Sequence, residues 1–235
     1  MSVSPRQDFH TFYENQYQDQ GAALIEWLRF CSAEKVKSVE VCTEGIPVVD
    51  ILEIGCGTGA ILERMDSIGF GEKYWGIDLS HEAIEFVKTL GIKRLQNAVQ
   101  MDVNHIHDIF PGKMFDLVLL SHVIEHVPEP GEVIKAAGRC GKHVFIEVPL
   151  EATPGLNLKG ILLQMFGTPR ENNISGHIQF YSRKSFHQFL NGLGARVIRS
   201  RQYVPLSEKM LDMLGKSPLK RRIILALHML LGDRV

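Results

Sequence analysis

The chain has no surplus of either charge: 26 lysines and arginines stand against 27 aspartates and glutamates, a formal net charge of −1. A protein that grips a nucleic-acid backbone over a wide surface carries a basic footprint, so bulk DNA or RNA is not the expected partner; a small local contact stays open. Cysteine is scarce and scattered, since Cys31, Cys42, Cys56 and Cys140 include no CxxC pair. That argues against a disulfide framework and against a cysteine-built zinc site. No apolar run approaches the ~20 residues that span a bilayer. The opening MSVSPRQDFHTFYENQYQDQ is polar and aromatic and lacks the apolar stretch of a secretory signal. Internal repeats and low-complexity tracts are absent as well. What is present, 235 residues with 45% hydrophobic and 23% charged side chains, is the balance of a soluble globular protein. A reduced, cytoplasmic protein is the expectation.

Strand and helix patterns alternate along the chain. Leu24, Trp27, Leu28 and Cys31 share a face at helical spacing in a helical N-terminal segment over 1–45. A strand follows in VVDILEIGCGTG (48–59) and passes through a glycine turn into the helix AILERMDSIG. The strand KYWGIDLS ends in an acid, and Ser80 is placed to cap the helix HEAIEFVKTLG. A weaker strand lies around Ala98–Met101, just before Asp102, and the clearest is Phe115–Ser121. A helix around Glu132–Gly138 leads to a fifth strand, His143–Leu150. This order predicts an α/β fold: a doubly wound, mostly parallel, Rossmann-like sheet with helices on both faces. Residues 46–204 form its main domain. An insertion over about 151–176 is expected beside the site mouth, because ligands bind outside the carboxyl ends of such strands. Then come HIQFYS, a helix capped by Ser182, a strand in ARVIRSRQYV, and a helical tail over 205–235.

The turn Glu53-Ile-Gly55-Cys56-Gly57-Thr-Gly59 lies between a strand and a helix, where glycines admit a ligand close to the backbone and the helix start offers N–H groups. A nucleotide-type cofactor follows. Gly55-x-Gly57-x-x-Ala60 also satisfies the dinucleotide fingerprint, so an NAD-linked oxidoreductase is a competing reading. Three acids bear on the choice. Glu53, two residues before the first glycine, suits a cationic amino-acid moiety and would repel a pyrophosphate. Asp78 can accept both ribose hydroxyls, and Asp102 can accept from an adenine amino group.

This ordered pattern resembles the class I S-adenosylmethionine-dependent methyltransferases, over roughly 48–204. The resemblance implies that Glu53, Asp78 and Asp102 contact S-adenosylmethionine, with backbone contacts at Gly55, Cys56 and Gly57, and with Leu79, Val103 and His122 beside the same ligand. That family's sheet ordinarily ends in a hairpin, whereas here the final strand is not identifiable.

The fourth strand runs into SHVIEHVPEP. His122-Val-Ile-Glu125-His126 also reads as the H-x-x-E-H of inverzincin proteases, but that motif needs a long helix, and Pro128 and Pro130 follow at once. The segment is more similar to the polyprenyl-quinone-precursor and small-RNA 2′-O-methyltransferase groups, whose loop reads E-x-x-E-H with a further histidine supplied after the fifth strand. Glu125 and His126 match, and Ser175-Gly-His177 resembles the later segment. In those groups the quartet binds a divalent metal; here His122 replaces the first glutamate, so a metal, if bound, would be a transition ion before magnesium. Glu125, His126 and His177 are the candidate catalytic residues, with a histidine base removing a hydroxyl proton. The Asn/Asp-Pro-Pro-aromatic run of amino-methyltransferases is missing from Ser121-His122-Val123-Ile124. A small-molecule substrate and O-methylation are therefore expected. A non-catalytic cofactor-binding module is the remaining alternative.

Two apolar stretches are left over. Gly160–Phe166, inside the insertion, faces either the substrate or the core. The tail KSPLKRRIILALHMLLGDRV is basic at its start and apolar at its centre, which suits packing onto the core or a homodimer partner ahead of a membrane-surface contact. Tyr13 and Tyr17 are placed to close over the cofactor or to pack in the core.

Overall fold

A computed structural model describes residues 25–150 and 176–203. The N-terminal tyrosines, the insertion over 151–175 with its apolar stretch, and the tail all lie outside these residues. The chain opens with α1 (residues 25–43), then alternates: β1 (Asp50–Ile54), α2 (Ala60–Ile68), β2 (Lys73–Asp78), α3 (His81–Thr89) and β3 (Leu95–Gln100). A 3-10 turn (Val103–His105) and the short α4 (Ile106–Ile109) lead to β4 (Phe115–Ser121), α5 (Pro130–Cys140), β5 (Gly141–Glu147) and α6 (Arg183–Gly192). Among the described residues the sheet has five strands in the order β3-β2-β1-β4-β5, and every pairing is parallel.

Each central strand is apolar on both faces because helices cover both. In β4, Leu117 and Leu119 pack on the side of Val36 and Val39 from α1, Leu62 and Met65 from α2, and Ile84 and Val87 from α3. Their neighbours Val118 and Leu120 face the opposite core, with Ile106, Val133, Ala137 and Leu190 from α4, α5 and α6. The doubly wound expectation is met. The core stripe of α1 is not the one foreseen: Ser32, Val36, Val39 and Thr43 are buried, while Trp27, Leu28 and Cys31 are half-buried.

Local signals explain the helix ends. Ser80 accepts from the Ala83 amide, and Ser182 and Ser185 form a reciprocal capping box at α6. Two strand expectations need correction. β5 begins two residues earlier than His143, because α5 passes directly into the strand at Gly141. A Cβ there would lie 2.6 Å from Val118 Cγ2, so only glycine lets the helix end against β4. The strand expected in ARVIRSRQYV is absent over the described residues 195–203 apart from one bridged residue, Gln202. There Arg199 donates to the Val41 and Glu44 carbonyls, and Arg201 bonds Ser38 and Glu34. The segment is tied to α1 instead of extending the sheet. No helix among the described residues is long and apolar enough to cross a membrane.

Candidate active site

The carboxyl ends of all five strands open on one edge of the sheet, and the predicted residues gather there in two groups. The first surrounds the glycine turn after β1. Gly55, Gly57 and Gly59 have φ of 71°, 50° and 73°, the left-handed region that side chains other than glycine rarely enter. A Cβ on Gly55 would also meet Val123 Cγ2 at 2.6 Å. The turn is tied to β2: the Gly55 and Cys56 amides both donate to the Ile77 carbonyl, at 2.8 and 3.0 Å. The Gly57 amide donates to Asp78 Oδ2 at 2.7 Å, and the Ser80 amide to Oδ1 at 2.9 Å.

Those bonds change one expectation. The Gly55, Cys56 and Gly57 amides are engaged inside the fold, so a ligand at these three residues meets Cα and carbonyl faces. Asp78 therefore does two things: it braces the turn and presents its carboxylate at the strand end. Burial pushes its pKa up, and the Ser80, Gly57 and Leu79 amides pull the other way. Leu79, exposed, follows it. Asp102 caps the 3-10 turn, accepting from the Asn104 amide and side chain at 2.9 and 2.8 Å, with Val103 half-buried beside it.

Glu53 is the anomaly of this group. It is 2% exposed, and its Oε2 has no hydrogen-bond partner among the described residues. Burial raises its pKa to about 8; the charge of Lys35 opposes this, while Asp78 and Glu147 add to it. A buried, unpartnered carboxyl at a ligand mouth is suited to a cationic group brought by the ligand. Burial, then the charges of Asp78 and Glu53, push the Cys56 thiol well up, so it is no nucleophile.

The second group forms at β4 and β5. His122 leaves β4 at φ 56°, the one positive φ of a non-glycine among the described residues, and its amide donates to the Glu147 carbonyl at 3.1 Å. Strained backbone of this kind persists where its surroundings over-determine it. The segment after residue 176 is brought in by the main chain: the Ile178 and Gln179 amides both donate to the Glu125 carbonyl, at 2.8 and 3.0 Å. Glu125, His126 and His177 consequently converge, with one ligand-type atom from each inside a 4.8 Å radius of the others. The His126 and His177 rings meet edge to face at 4.7 Å.

Glu125 is fully buried, and among the described residues neither carboxylate oxygen has a geometrically complete hydrogen bond. His122 Nδ1 lies 3.0 Å from Oε1, an ion-pair distance. Burial works against the charge, but His122 and, more weakly, His126 hold the Glu125 pKa below the usual carboxylate value. His126 is lowered, first by burial, with Glu125 opposing and His177 adding to the fall. It is a neutral imidazole near pH 7. Its Nδ1 lies 3.3 Å from the Gly176 carbonyl, which can only accept, so the proton belongs on Nδ1 and the lone pair on Nε2.

Four residues were missed from sequence: Lys35, Ser121, Glu147 and Tyr203. Lys35 Nζ donates to Ser121 Oγ at 3.1 Å, Ser121 Oγ donates to Glu147 Oε2 at 2.5 Å, and the Tyr203 hydroxyl donates to Glu147 Oε1. No spacing links residues 35, 121, 147 and 203; only the fold does.

Comparison with known proteins adds a family. A methyltransferase domain family matches residues 13–200. A ubiquinone biosynthesis O-methyltransferase of Cupriavidus pinatubonensis is 27% identical over 181 residues, covering 70% of this chain and 68% of that protein. One from Thiobacillus denitrificans is 33% identical over 123 residues, 50% of this chain and 49% of the other. A mitochondrial one from Candida albicans is 35% identical over 86 residues, where the match takes in 26% of that protein. The chain thus spans about half or less of the length of the latter two. Among solved structures, a plantazolicin methyltransferase in complex with a substrate analogue and S-adenosylhomocysteine superposes with a TM-score of 0.57 at 16% identity, covering 92% of this chain and 91% of that one. A magnesium protoporphyrin IX methyltransferase from Synechocystis with bound S-adenosylhomocysteine gives 0.55 at 13%, covering 87% and 84%. These identities speak for the fold.

Proposed function

The chain belongs to the methyltransferase domain family, and from that premise we propose that it transfers the methyl group of S-adenosylmethionine to a hydroxyl oxygen of a small molecule. The convergence of Glu125, His126 and His177 at the strand ends carries the oxygen assignment. S-adenosylmethionine is the methyl donor. Bound, it supplies an electrophilic methyl on a sulfonium, so the protein's work is alignment and removal of one proton.

The chain's own residues divide that work. Glu53, buried with an unpartnered oxygen, suits the donor's ammonium. Lys35, whose charge already acts on Glu53, suits its carboxylate. Asp78 suits the ribose hydroxyls and Asp102 the adenine amino group. His126 Nε2 accepts the hydroxyl proton, and Gly176 holds the ring in the tautomer that can do so. An amine acceptor would not need this basic rim.

In the alternative to a histidine base, since the Nε2 lone pair cannot hold a proton and an ion at once, Glu125, His126 and His177 fit a divalent ion. An imidazole whose Nδ1–H is held by a carbonyl has the support usual for a metal-ligating histidine, and the buried Glu125 carboxylate beside it has both oxygens open to an ion among the described residues. One carboxylate and two imidazoles favour Zn, Mn, Fe or Ni over Mg. Such an ion supplies Lewis acidity that lowers the pKa of an acceptor hydroxyl. The relatives' names as O-methyltransferases support the oxygen reading, and the neutral charge supports a small substrate. Free cysteines support a reducing cytoplasm as its setting. The sequence of the tail supports a homodimer contact there ahead of a membrane surface.

Calorimetric titration with S-adenosylhomocysteine and with NAD tests the donor. Saturable binding of the former and none of the latter is expected; tighter binding of NAD would return the glycine turn to the oxidoreductase reading. Labelled-methyl transfer to a panel of phenols and their amine analogues then tests the acceptor, with product on oxygen expected.

A further inference from the structure

Glu147 ends β5 at the rim of the site, where one carboxylate takes two hydroxyls from distant parts of the chain. Oε2 accepts from Ser121 at the end of β4, and Oε1 accepts from Tyr203. Ser121 in turn accepts from Lys35 Nζ, reaching in from α1. Tyr203 sits on the segment that Arg199 and Arg201 fasten to the same helix, and the Arg201 guanidinium lies 4.9 Å over its ring.

We propose that Glu147 is a positioning residue for the methyl donor: held between Tyr203 and Ser121, it orients Ser121 so that the Lys35 ammonium is fixed beside Glu53, at the amino-acid end of the donor. The inference rests on the donor reading above and adds a residue to it. The direction of the hydrogen bonds carries it. A carboxylate only accepts, so both hydroxyls must donate to Glu147. Ser121 then keeps only lone pairs to offer, and Lys35, which has only N–H donors, is the partner they suit. A glutamine would break that order. Its amide has one acceptor oxygen where the carboxylate has two, so one of the two hydroxyls loses its acceptor, and the charge that draws the Ser121 proton away from Lys35 is gone. Tyr203→Phe removes one of the two clamps and leaves the volume almost unchanged.

The test uses two ligands and the full-length protein. S-adenosylhomocysteine carries the amino-acid end; 5′-methylthioadenosine lacks it and keeps the ribose and adenine. Calorimetry on Glu147→Gln should show about a tenfold weaker affinity for S-adenosylhomocysteine, the scale of one charge-assisted hydrogen bond. Affinity for methylthioadenosine should stay at the wild-type value. Tyr203→Phe should show the same split, more weakly. Because Glu147 acts through Lys35, adding Glu147→Gln to Lys35→Met should cost nothing beyond Lys35→Met alone. Equal losses for both ligands, or a lowered melting temperature with S-adenosylhomocysteine affinity intact, would overturn the proposal and leave Glu147 a structural clamp. Wild-type protein that binds neither ligand would overturn the donor reading itself, a result distinct from either.

Discussion

The two halves of the site are built by different means. Under β1, β2 and β3 the fold uses contiguous chain: seven residues from Glu53 to Gly59 make the turn, and Asp78 locks it through the Gly57 amide. Under β4 and β5 it uses distance: Glu125, His126 and His177 meet because two amides past residue 176 bond one carbonyl some fifty residues earlier. The first half is a shape that a ligand fits; the second is a set of titratable groups that a proton or a cation can use. If that division is right, damage to the first should appear in donor binding and damage to the second in turnover.

The largest effect tests the second half. His126→Ala and His177→Ala should each cut turnover by about 10²–10⁴-fold, the range for a lost general base, with S-adenosylhomocysteine affinity near wild type. A bound ion adds a condition: chelation should abolish activity, and one transition ion should restore it better than magnesium. Indifference to chelators would leave the histidines as proton acceptors alone. Full activity in both variants would break the comparison, and the acceptor would then be a group that arrives already deprotonated.

The next effect tests the first half. Asp78→Ala should weaken S-adenosylhomocysteine by well over tenfold, since each charge-assisted hydrogen bond it offers the ribose is worth roughly 1.5–3 kcal/mol. The variant also loses the bond to the Gly57 amide, so some thermal stability should go with it. Gly55→Ala makes the same point through geometry. A methyl at φ 71° and 2.6 Å from Val123 forces both the turn and the His122 loop to move. It is the one substitution here expected to harm binding and turnover together, because Gly55 is where the two halves touch.

Sequence made these halves unequally legible. The glycine turn, Asp78, Ser80 and the strand Phe115–Ser121 are local patterns, and they stand where the spacing put them. The histidine cluster was legible only by its resemblance to a known segment, since nothing local says that His177 returns to His126. Lys35, Ser121, Glu147 and Tyr203 were not legible at all: a lysine in a helix and a glutamate ending a strand are ordinary until the fold joins them. The strand expected in ARVIRSRQYV failed for a related reason. Its alternation is real, but the partners that Arg199 and Arg201 find, on α1 and at Glu44 just past it, are about 160 residues away in sequence.

A smaller effect concerns pH. The Glu53 pKa rises from 4.5 to about 8 on folding, chiefly through burial. Between those values the folded protein holds a proton that the unfolded chain has released, so stability of the ligand-free protein should fall as pH rises through that window. The slope is at most about 1.4 kcal/mol per pH unit from this group. A donor ammonium beside the ionised carboxylate reverses the sense: the gain in melting temperature from S-adenosylhomocysteine should grow from pH 6 to pH 8. Glu53→Gln should flatten both trends. If the ligand's gain is level with pH in the wild type, the ammonium does not sit at Glu53.

The smallest effect separates support from chemistry within the second half. Ser182 caps α6 through the Ser185 amide at 3.1 Å, and this cap lies only five residues after His177. Between them Tyr181 is buried against Phe186 and Phe189, so the cap fixes where the histidine-bearing segment enters the core. Ser182→Ala should cost about 1 kcal/mol, as lost N-caps do. In a protein of this size that is a fall of roughly 2–4 °C in melting temperature. Donor affinity should not change, because nothing in the glycine turn rests on α6. Turnover should fall only as far as the looser entry lets His177 drift from His126. A loss of turnover as large as that of His177→Ala, at full donor affinity, would mean that the helix cap sets the histidine's position, and that the Glu125 carbonyl alone does not hold the segment in place.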